Sequence, residues 1–310
     1  MIAIFIWHIL VHGYMLKDIG SENIVASSTQ LVLLALLAPA TYCFMFISGY
    51  YGISYSHKRF AYIVFLCYFA VIISFTIRYF AGIPTSILSS FFPLTREPWW
   101  FIHIYLIIMV LSPIINRGVE LLTKKQFRFI VAVMLYFLVA SMLQFRINYG
   151  SNILGLLTIY LLARYIRIHD IKLSLNQSLC TWFMSFLLLS VALLVLNLFL
   201  AKAVFIFLSY CNPLIIIMAI SIFFITLNLP PSCNRKINKL FSPVLMIYLI
   251  TEFLGVHFYK KVAEILDNDL MLGGGNVLIV IVLCVFVGHV ANILFDFCCK
   301  KIMSNNTDRI

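Results

Sequence analysis

Long apolar segments separated by short polar loops run along the whole 310-residue chain. A run of about 20 apolar residues is the length of a membrane-spanning helix, and a backbone in lipid must satisfy its own hydrogen bonds. The pattern therefore predicts an all-α polytopic membrane protein, with a single bundle of about ten transmembrane helices. The predicted spans are residues 1–16, 30–53, 60–82, 99–116, 127–145, 151–168, 179–200, 209–229, 241–258 and 276–297.

The composition excludes a soluble domain. The chain is 63% hydrophobic and 11% charged, with a mean hydropathy of +1.05, whereas soluble domains carry about 25% charged residues. The loops are short, so residues 1–310 are expected to form one membrane domain. The net charge of +11 arises from these loops and does not indicate nucleic acid as a partner. The eight cysteines fall mostly inside apolar runs and are interpreted as small buried hydrophobic residues.

Lys and Arg are divided unequally between the two sides of the predicted membrane. Of the 22 such residues, fifteen follow even-numbered spans and seven follow odd-numbered spans. Cytoplasmic loops carry the excess of positive charge in multi-pass proteins. The division predicts a multi-pass protein of the cell inner (plasma) membrane with both termini in the cytoplasm.

Two local patterns depart from a regular series of spans. The first span is short, ending before Lys17, and it has no positive residue on its cytoplasmic flank. It also lacks the charged start and the small-residue cleavage site of a signal peptide, so the beginning of this helix is expected to lie upstream of Met1. The sequence LGGGN at 272–276 follows no strand and lacks the lysine of a phosphate loop. It is expected to be a hinge before the last span.

Ionisable side chains inside the spans are the candidates for chemistry, because charge in hydrocarbon is costly and usually faces the bundle interior. Glu252 is an acid deep inside a span and is a candidate site residue. Histidine titrates near neutral pH and can act as a general base, which would suit acyl transfer to an alcohol. An interior ring that only hydrogen-bonds to a neighbour is the alternative. The ionisable residues inside the predicted spans are His8, His12, Arg78, His103, Glu252, His257 and His289.

His8 and His12 lie four residues apart and share one face of a helix. This spacing also suits a metal or haem pair. The chain has no HExxH motif, no second histidine pair and no cluster of acidic ligands beside it. No metal site is therefore predicted.

Six segments, taken in order, resemble the membrane acyltransferase-3 family, the bacterial O-acyltransferases that modify surface polysaccharides. The resemblance covers about residues 7–260, and it depends on the order of the segments more than on any one of them. The segments are WHILVHG (7–13), FMFISGYYGI (44–53), PWWFIHIYLIIMVLSPIIN (98–116), LTIYLLARYIRIH (157–169), SYCNPLIIIMAISIFF (209–224) and FSPVLMIYLITE (241–252).

The resemblance implies an integral-membrane O-acyltransferase with no bound cofactor. The donor would be an acyl-CoA, most often acetyl-CoA, on the cytoplasmic side, and the acceptor would be a hydroxyl of a surface or lipid-linked glycan. His8 would be the base or the acyl relay, and Glu252 would be a second catalytic residue. Weaker candidates for binding the substrate or donor are His12, Ser48, Gly49, Tyr50, Lys58, Arg59, Trp100, Tyr105, Tyr160 and Tyr248.

Several of these candidates have simpler interpretations. The basic sequence HKRF at 57–60 would meet CoA phosphates, or it only sets the topology. The small residues Ser48 and Gly49 serve helix packing in the alternative interpretation, and Trp99 and Trp100 would form an interfacial aromatic belt.

Two positions depart from the family pattern. The family pairs an arginine with the first-helix histidine, ten residues intervening, and from His8 that arginine would fall before Met1. Thr251 stands where the family segment YLIHE has its histidine. Two other functions stay open: a transporter or flippase for a glycan or small molecule, and an inactive truncated family member. The chain shows no internal repeat, which argues against a transporter.

Overall fold

The computed structural model describes residues 1–19, 26–83, 91–92, 94, 99–144, 150–231 and 233–307. Every regular element among these residues is a helix, which confirms the all-α class. Three cations of the charge count, Arg96, Arg146 and Arg309, lie outside the described residues.

Seven segments of the described chain are long and apolar enough to cross a membrane, so a polytopic membrane protein is confirmed and the count of ten stays a prediction. Two further apolar helices, Ile2–Gly13 and Pro213–Asn228, are shorter. The seven segments are Ser28–Tyr51, His57–Phe80, Trp100–Glu120, Lys124–Leu143, Leu175–Phe199, Arg235–Leu254 and Leu270–Lys300.

The chain divides into two compact units, whereas a single bundle over residues 1–310 was expected from the sequence. The first unit comprises Met1–Phe5, Ser56–Trp99 and Ser232–Ile310, and the second comprises Ile6–Tyr55 and Trp100–Pro231. The division does not test whether the chain acts as one domain, which stays a prediction. Helix α1 (Ile2–His8) begins in the first unit and continues in the second as a π-helical turn, Ile9–Gly13.

The second unit is built around helix pairs that pack closely. Its helices are α2 Ser28–Leu37, α3 Ala40–Tyr51, α5 Trp100–Glu120, α6 Lys124–Gln144, α7 Ile153–Ile168, α8 Leu175–Phe199, α9 Val204–Phe207 and α10 Pro213–Asn228. Helix α3 packs on α7 and α10, α8 packs on α10 and α2, and α7 packs on α5 and α6.

Polar caps mark where several of these helices begin. Ser27 and Gln30 form a capping box at the start of α2, because each side chain bonds the backbone N–H of the other. Ser174 forms the same box with Gln177 at α8. Asn212 caps α10, whose first position is a proline.

The helices of the first unit are α4 His57–Phe80, α11 Arg235–Leu240, α12 Leu245–Leu254, α13 Val256–Asn268 and α14 Leu270–Thr307. Helix α12 packs against α4 and α14, and α13 packs against α14. Gly255, with φ of 74°, separates α12 from α13 and lets the chain change direction between them.

The hinge expected at LGGGN is wrong, because residues 272–276 lie inside the continuous 38-residue helix α14. Asp269 begins that helix: its carboxylate accepts from the backbone N–H groups of Met271 and Leu272 at 2.8 and 3.0 Å. A Cβ on Gly273 would lie 2.6 Å from the Cα of Leu266. The glycine therefore permits close packing of α13 on α14 rather than a bend.

Candidate functional site

The histidine pair occupies the end of α1 and the π-helical turn. The rings of His8 and His12 lie 5.4 Å apart, edge to face, and the Trp7 ring also lies 5.4 Å from the His8 ring. Both histidines are half-buried. The indole nitrogen of Trp7 is buried and has no hydrogen-bond partner among the described residues. Single π-helical turns often occur at functional positions, and this one begins directly after His8.

Within the part of the chain that the structure describes, no group of three His, Cys, Asp or Glu side chains is placed to hold a metal ion. The expectation of no metal stays a prediction.

Glu252 is buried in α12 of the first unit, 9% exposed. The hydroxyl of Tyr259, on α13, donates to Glu252 Oε1 at 2.5 Å. The turn at Gly255 places the two side chains face to face although seven residues separate them. A buried carboxylate needs such a donor, because an unsatisfied buried charge costs several kcal/mol.

Arg78 contacts the backbone of α12 directly after Glu252. Its Nη1 donates to the backbone oxygens of Phe253 and Leu254 at 3.2 and 3.4 Å. These carbonyls lie at the carboxyl end of α12, where a cation compensates the helix dipole and bonds unpaired acceptors. The arginine therefore supports the turn that follows Glu252.

A closed network of three hydrogen bonds in the second unit joins the loop after α3 to the last part of α5 and the middle of α7. The Tyr160 hydroxyl donates to Asn116 Oδ1 at 2.6 Å and accepts from the Ile53 N–H at 3.3 Å. The Asn116 amide donates to the Ile53 oxygen at 2.9 Å. The loop after α3 is thereby tied to two helices by the polar atoms of two side chains.

Close packing of α3 on α7 brings the segments of the network together. A Cβ on Gly49 would lie 2.6 Å from the Tyr160 backbone oxygen and 2.8 Å from the Ala163 Cβ. Only glycine fits at this distance. One turn further, Arg167 stacks over the Tyr50 ring at 5.1 Å and donates to its hydroxyl at 3.4 Å.

A pocket of about 340 Å³ opens beside this network, in the second unit. The carboxyl-terminal turns of α3, α5 and α7 and the loop after α3 form its wall. Its size is at the lower end of the range for small-molecule sites. The lining residues are Tyr51, Gly52, Ile53, Ser54, Tyr55, Ser112, Pro113, Asn116, Glu120 and Arg164.

The other binding candidates lie apart from this pocket or outside its unit. In the second unit Trp100 packs at 5.5 Å from Tyr210, Tyr105 stacks on Phe101 at 6.1 Å, and Ser48 is half-buried on α3. In the first unit Lys58 and Arg59 are exposed on the first turn of α4, and Tyr248 is buried in α12.

Trp99 is only 1% exposed and packs at 5.9 Å from Phe253 within the first unit. It therefore does not belong to an exposed aromatic belt. The paired tryptophans of the sequence have separate environments, because Trp100 packs in the second unit.

The structure brings together Gly49, Tyr50 and Tyr160 among the predicted site residues, and His8 with His12. Glu252 gains a partner, Tyr259, that the sequence analysis missed. Asn116 and Arg164 were also missed. Asn116 ends one of the quoted segments, and an amide at the end of an apolar helix is the signal that would have found it.

No protein family, no curated protein and no solved structure matches the chain.

Proposed function

We propose that this protein is an integral-membrane O-acyltransferase that moves an acyl group, normally acetyl, from acyl-CoA to a glycan hydroxyl. Its place is the inner (plasma) membrane with both termini in the cytoplasm, and its partners are membrane lipid, the acyl-CoA and the glycan. The proposal starts from the resemblance of six segments to the acyltransferase-3 family.

One observation carries the proposal beyond the resemblance. Three of the quoted segments, 44–53, 98–116 and 157–169, contribute Ile53, Asn116 and Tyr160 to one hydrogen-bond network. These segments are far apart along the chain, so a chance likeness in each would give no reason for them to meet. Their meeting beside a pocket of ligand size supports a shared functional origin.

The reaction needs a base for the acceptor hydroxyl. In the proposal the His8 imidazole takes the hydroxyl proton while the oxygen attacks the thioester carbon. A C–O bond forms, the C–S bond breaks, and the proton passes to the CoA thiolate. Glu252 is proposed as a second acid–base group, held by the Tyr259 hydroxyl.

Transfer of radiolabelled acetyl from acetyl-CoA by the purified protein, with a glycan extract from the host as acceptor, tests the proposal. The wild type is compared with His8→Ala and with Glu252→Gln, which keeps an oxygen for the Tyr259 hydroxyl. His103→Ala is the matched control, since His103 is an exposed histidine on α5.

Label in the glycan that is lost in His8→Ala and retained in His103→Ala supports the acyltransferase. If the wild type transfers no label but takes up the glycan into proteoliposomes, the protein is a transporter and not an acyltransferase. No label and no uptake would leave an inactive member of the family.

A further inference from the structure

The pocket of the second unit contains an arginine whose polar atoms the described residues do not satisfy. The Nε of Arg164 is buried and has no hydrogen-bond partner, and no ion pair of this side chain occurs among the described residues. Buried polar groups are normally bonded, so each exception calls for an explanation. The acid of the lining, Glu120, pairs with Arg117 at 3.5 Å.

The backbone beside Arg164 is shaped to leave it space. Gly52 has φ of 79°, a left-handed conformation that favours glycine, and a Cβ there would lie 3.1 Å from Nη1 of Arg164. The arginine is half-buried and lies on the pocket wall. Helix α7 thus holds the guanidinium at the pocket, and the loop after α3 leaves room for it because position 52 has no side chain.

Positive charge dominates this end of the second unit. The segments 116–128 and 164–172 contain seven Lys and Arg and two acids. Burial and the nearby Lys124 cation lower the pKa of His169, which ends α7. The carboxyl ends of α3, α5 and α7 contribute partial negative charge, but each amounts to about half a charge and the basic side chains outnumber them.

The rest of the lining suits a nucleotide better than a simple anion. Tyr51 and Tyr55 are among the lining residues and Tyr51 is 67% exposed; aromatic side chains of this kind can stack on a flat base. Ser54 adds a hydroxyl to the lining.

We propose that the Arg164 pocket binds the phosphate groups of a phosphate-bearing ligand through the Arg164 guanidinium. A guanidinium binds phosphate oxygens in a two-pronged geometry that a lysine cannot reproduce. The phosphate belongs either to a nucleotide, which rests on the proposed function because the donor would be CoA, or to a phospholipid headgroup.

The test measures binding rather than transfer. Wild-type protein purified in detergent is titrated calorimetrically with CoA that carries no acyl group, and native mass spectrometry measures bound phosphatidylglycerol. The variants are Arg164→Gln and Arg164→Lys. Arg128→Gln is the matched control, because Arg128 is an exposed arginine of the other basic segment, 116–128, and does not line the pocket.

For a nucleotide, Arg164→Gln weakens CoA binding by about tenfold or more, because a hydrogen bond to a charged group is lost. Arg164→Lys falls between the wild type and Arg164→Gln. Arg128→Gln changes the affinity by about twofold or less at moderate salt. For a lipid headgroup, CoA does not bind, and phosphatidylglycerol is retained by the wild type and Arg128→Gln but lost from Arg164→Gln.

Equal effects of Arg164→Gln and Arg128→Gln, or no binding of either probe, would overturn the inference and leave the arginine as part of the topology signal. Should Arg164→Gln not fold, Arg164→Lys decides, since unchanged CoA and lipid binding in that variant would exclude a guanidinium contact. Acetyl transfer with unchanged CoA affinity in the Arg164 variants would overturn this inference alone. Arg164-dependent CoA binding without transfer by the wild type would overturn only the proposed function.

Discussion

A polar side chain in an apolar protein has few possible hydrogen-bond partners, so losing one of its hydrogen bonds strongly affects the stability of the fold. The Tyr160 hydroxyl, the Asn116 amide and the Ile53 backbone satisfy one another. Removing one member leaves one polar atom of each of the other two without its partner, in a medium that offers few substitutes. We therefore expect a substitution in this network to act by removing a hydrogen-bond partner rather than by removing side-chain volume.

Asn116→Ala is expected to destabilise the protein by about 1–3 kcal/mol, because it leaves the Tyr160 hydroxyl and the Ile53 oxygen unsatisfied. Thermal unfolding in detergent measures the change. Asn276→Ala is the control: among the residues that the structure describes, the Asn276 amide bonds only the Leu272 oxygen of its own helix, at 2.9 Å. Equal shifts in the two variants would show that the network adds nothing to stability.

His8→Ala is expected to lower acyl transfer by about 10²–10⁴-fold, the usual contribution of a general base. His12→Ala should lower it less, because in the resemblance His8 and not His12 corresponds to the first-helix histidine. We expect His12 to have a supporting role, because its ring lies 5.4 Å from that of His8. Transfer assays at matched protein levels measure both, and small equal losses would argue against the assignment of His8.

Two pairs of helices pack closely in this protein at positions where one of the helices carries a glycine. Gly49 permits the contact of α3 with α7 and Gly273 permits the contact of α13 with α14. Without water between the helices, association depends on such close van der Waals packing. A glycine inside an apolar helix therefore permits close contact where a neighbouring helix approaches it, as at Gly49 and Gly273, and need not mark a bend.

Gly49→Ala is expected to destabilise the second unit by about 1–3 kcal/mol, because the added methyl group would overlap the Tyr160 backbone. Gly118→Ala is the matched control: Gly118 lies in α5, and an added Cβ would meet nothing within 4 Å. That control should be neutral or slightly stabilising, since alanine favours a helix. Thermal unfolding compares the variants, and equal stability would contradict the close contact.

At the scale of the whole molecule, the side of each loop is a prediction from the charge count alone. Maleimide labelling of intact cells with a membrane-impermeant reagent tests it. Cys233 is exposed in a loop that is expected to be cytoplasmic, so it should stay unlabelled until the cells are lysed.

Lys202→Cys is the matched comparison, because Lys202 is exposed in a loop expected on the opposite side. It should be labelled in intact cells when Cys233 is replaced by Ser. Labelling of Cys233 in intact cells would invert the topology.

The length and apolarity of its segments determined the helical, multi-pass class of this protein, because a chain in lipid can satisfy its backbone only as a helix or a closed barrel. The sequence also contained both histidines and Glu252 as candidates. It did not predict the LGGGN segment correctly, because glycine permits either a bend or a close contact and only the neighbour at Leu266 decides between them.

Only the tertiary structure brought together Ile53, Asn116 and Tyr160, which are separated by 44 to 107 residues. Apolar periodicity gives no register between helices that are distant in sequence. The partner of Glu252 depended on the turn at Gly255, and the pocket beside Arg164 depended on the packing of three helix ends. Hydrophobic patterning places helices in the membrane, while steric fit and the satisfaction of buried polar atoms decide which of their residues meet.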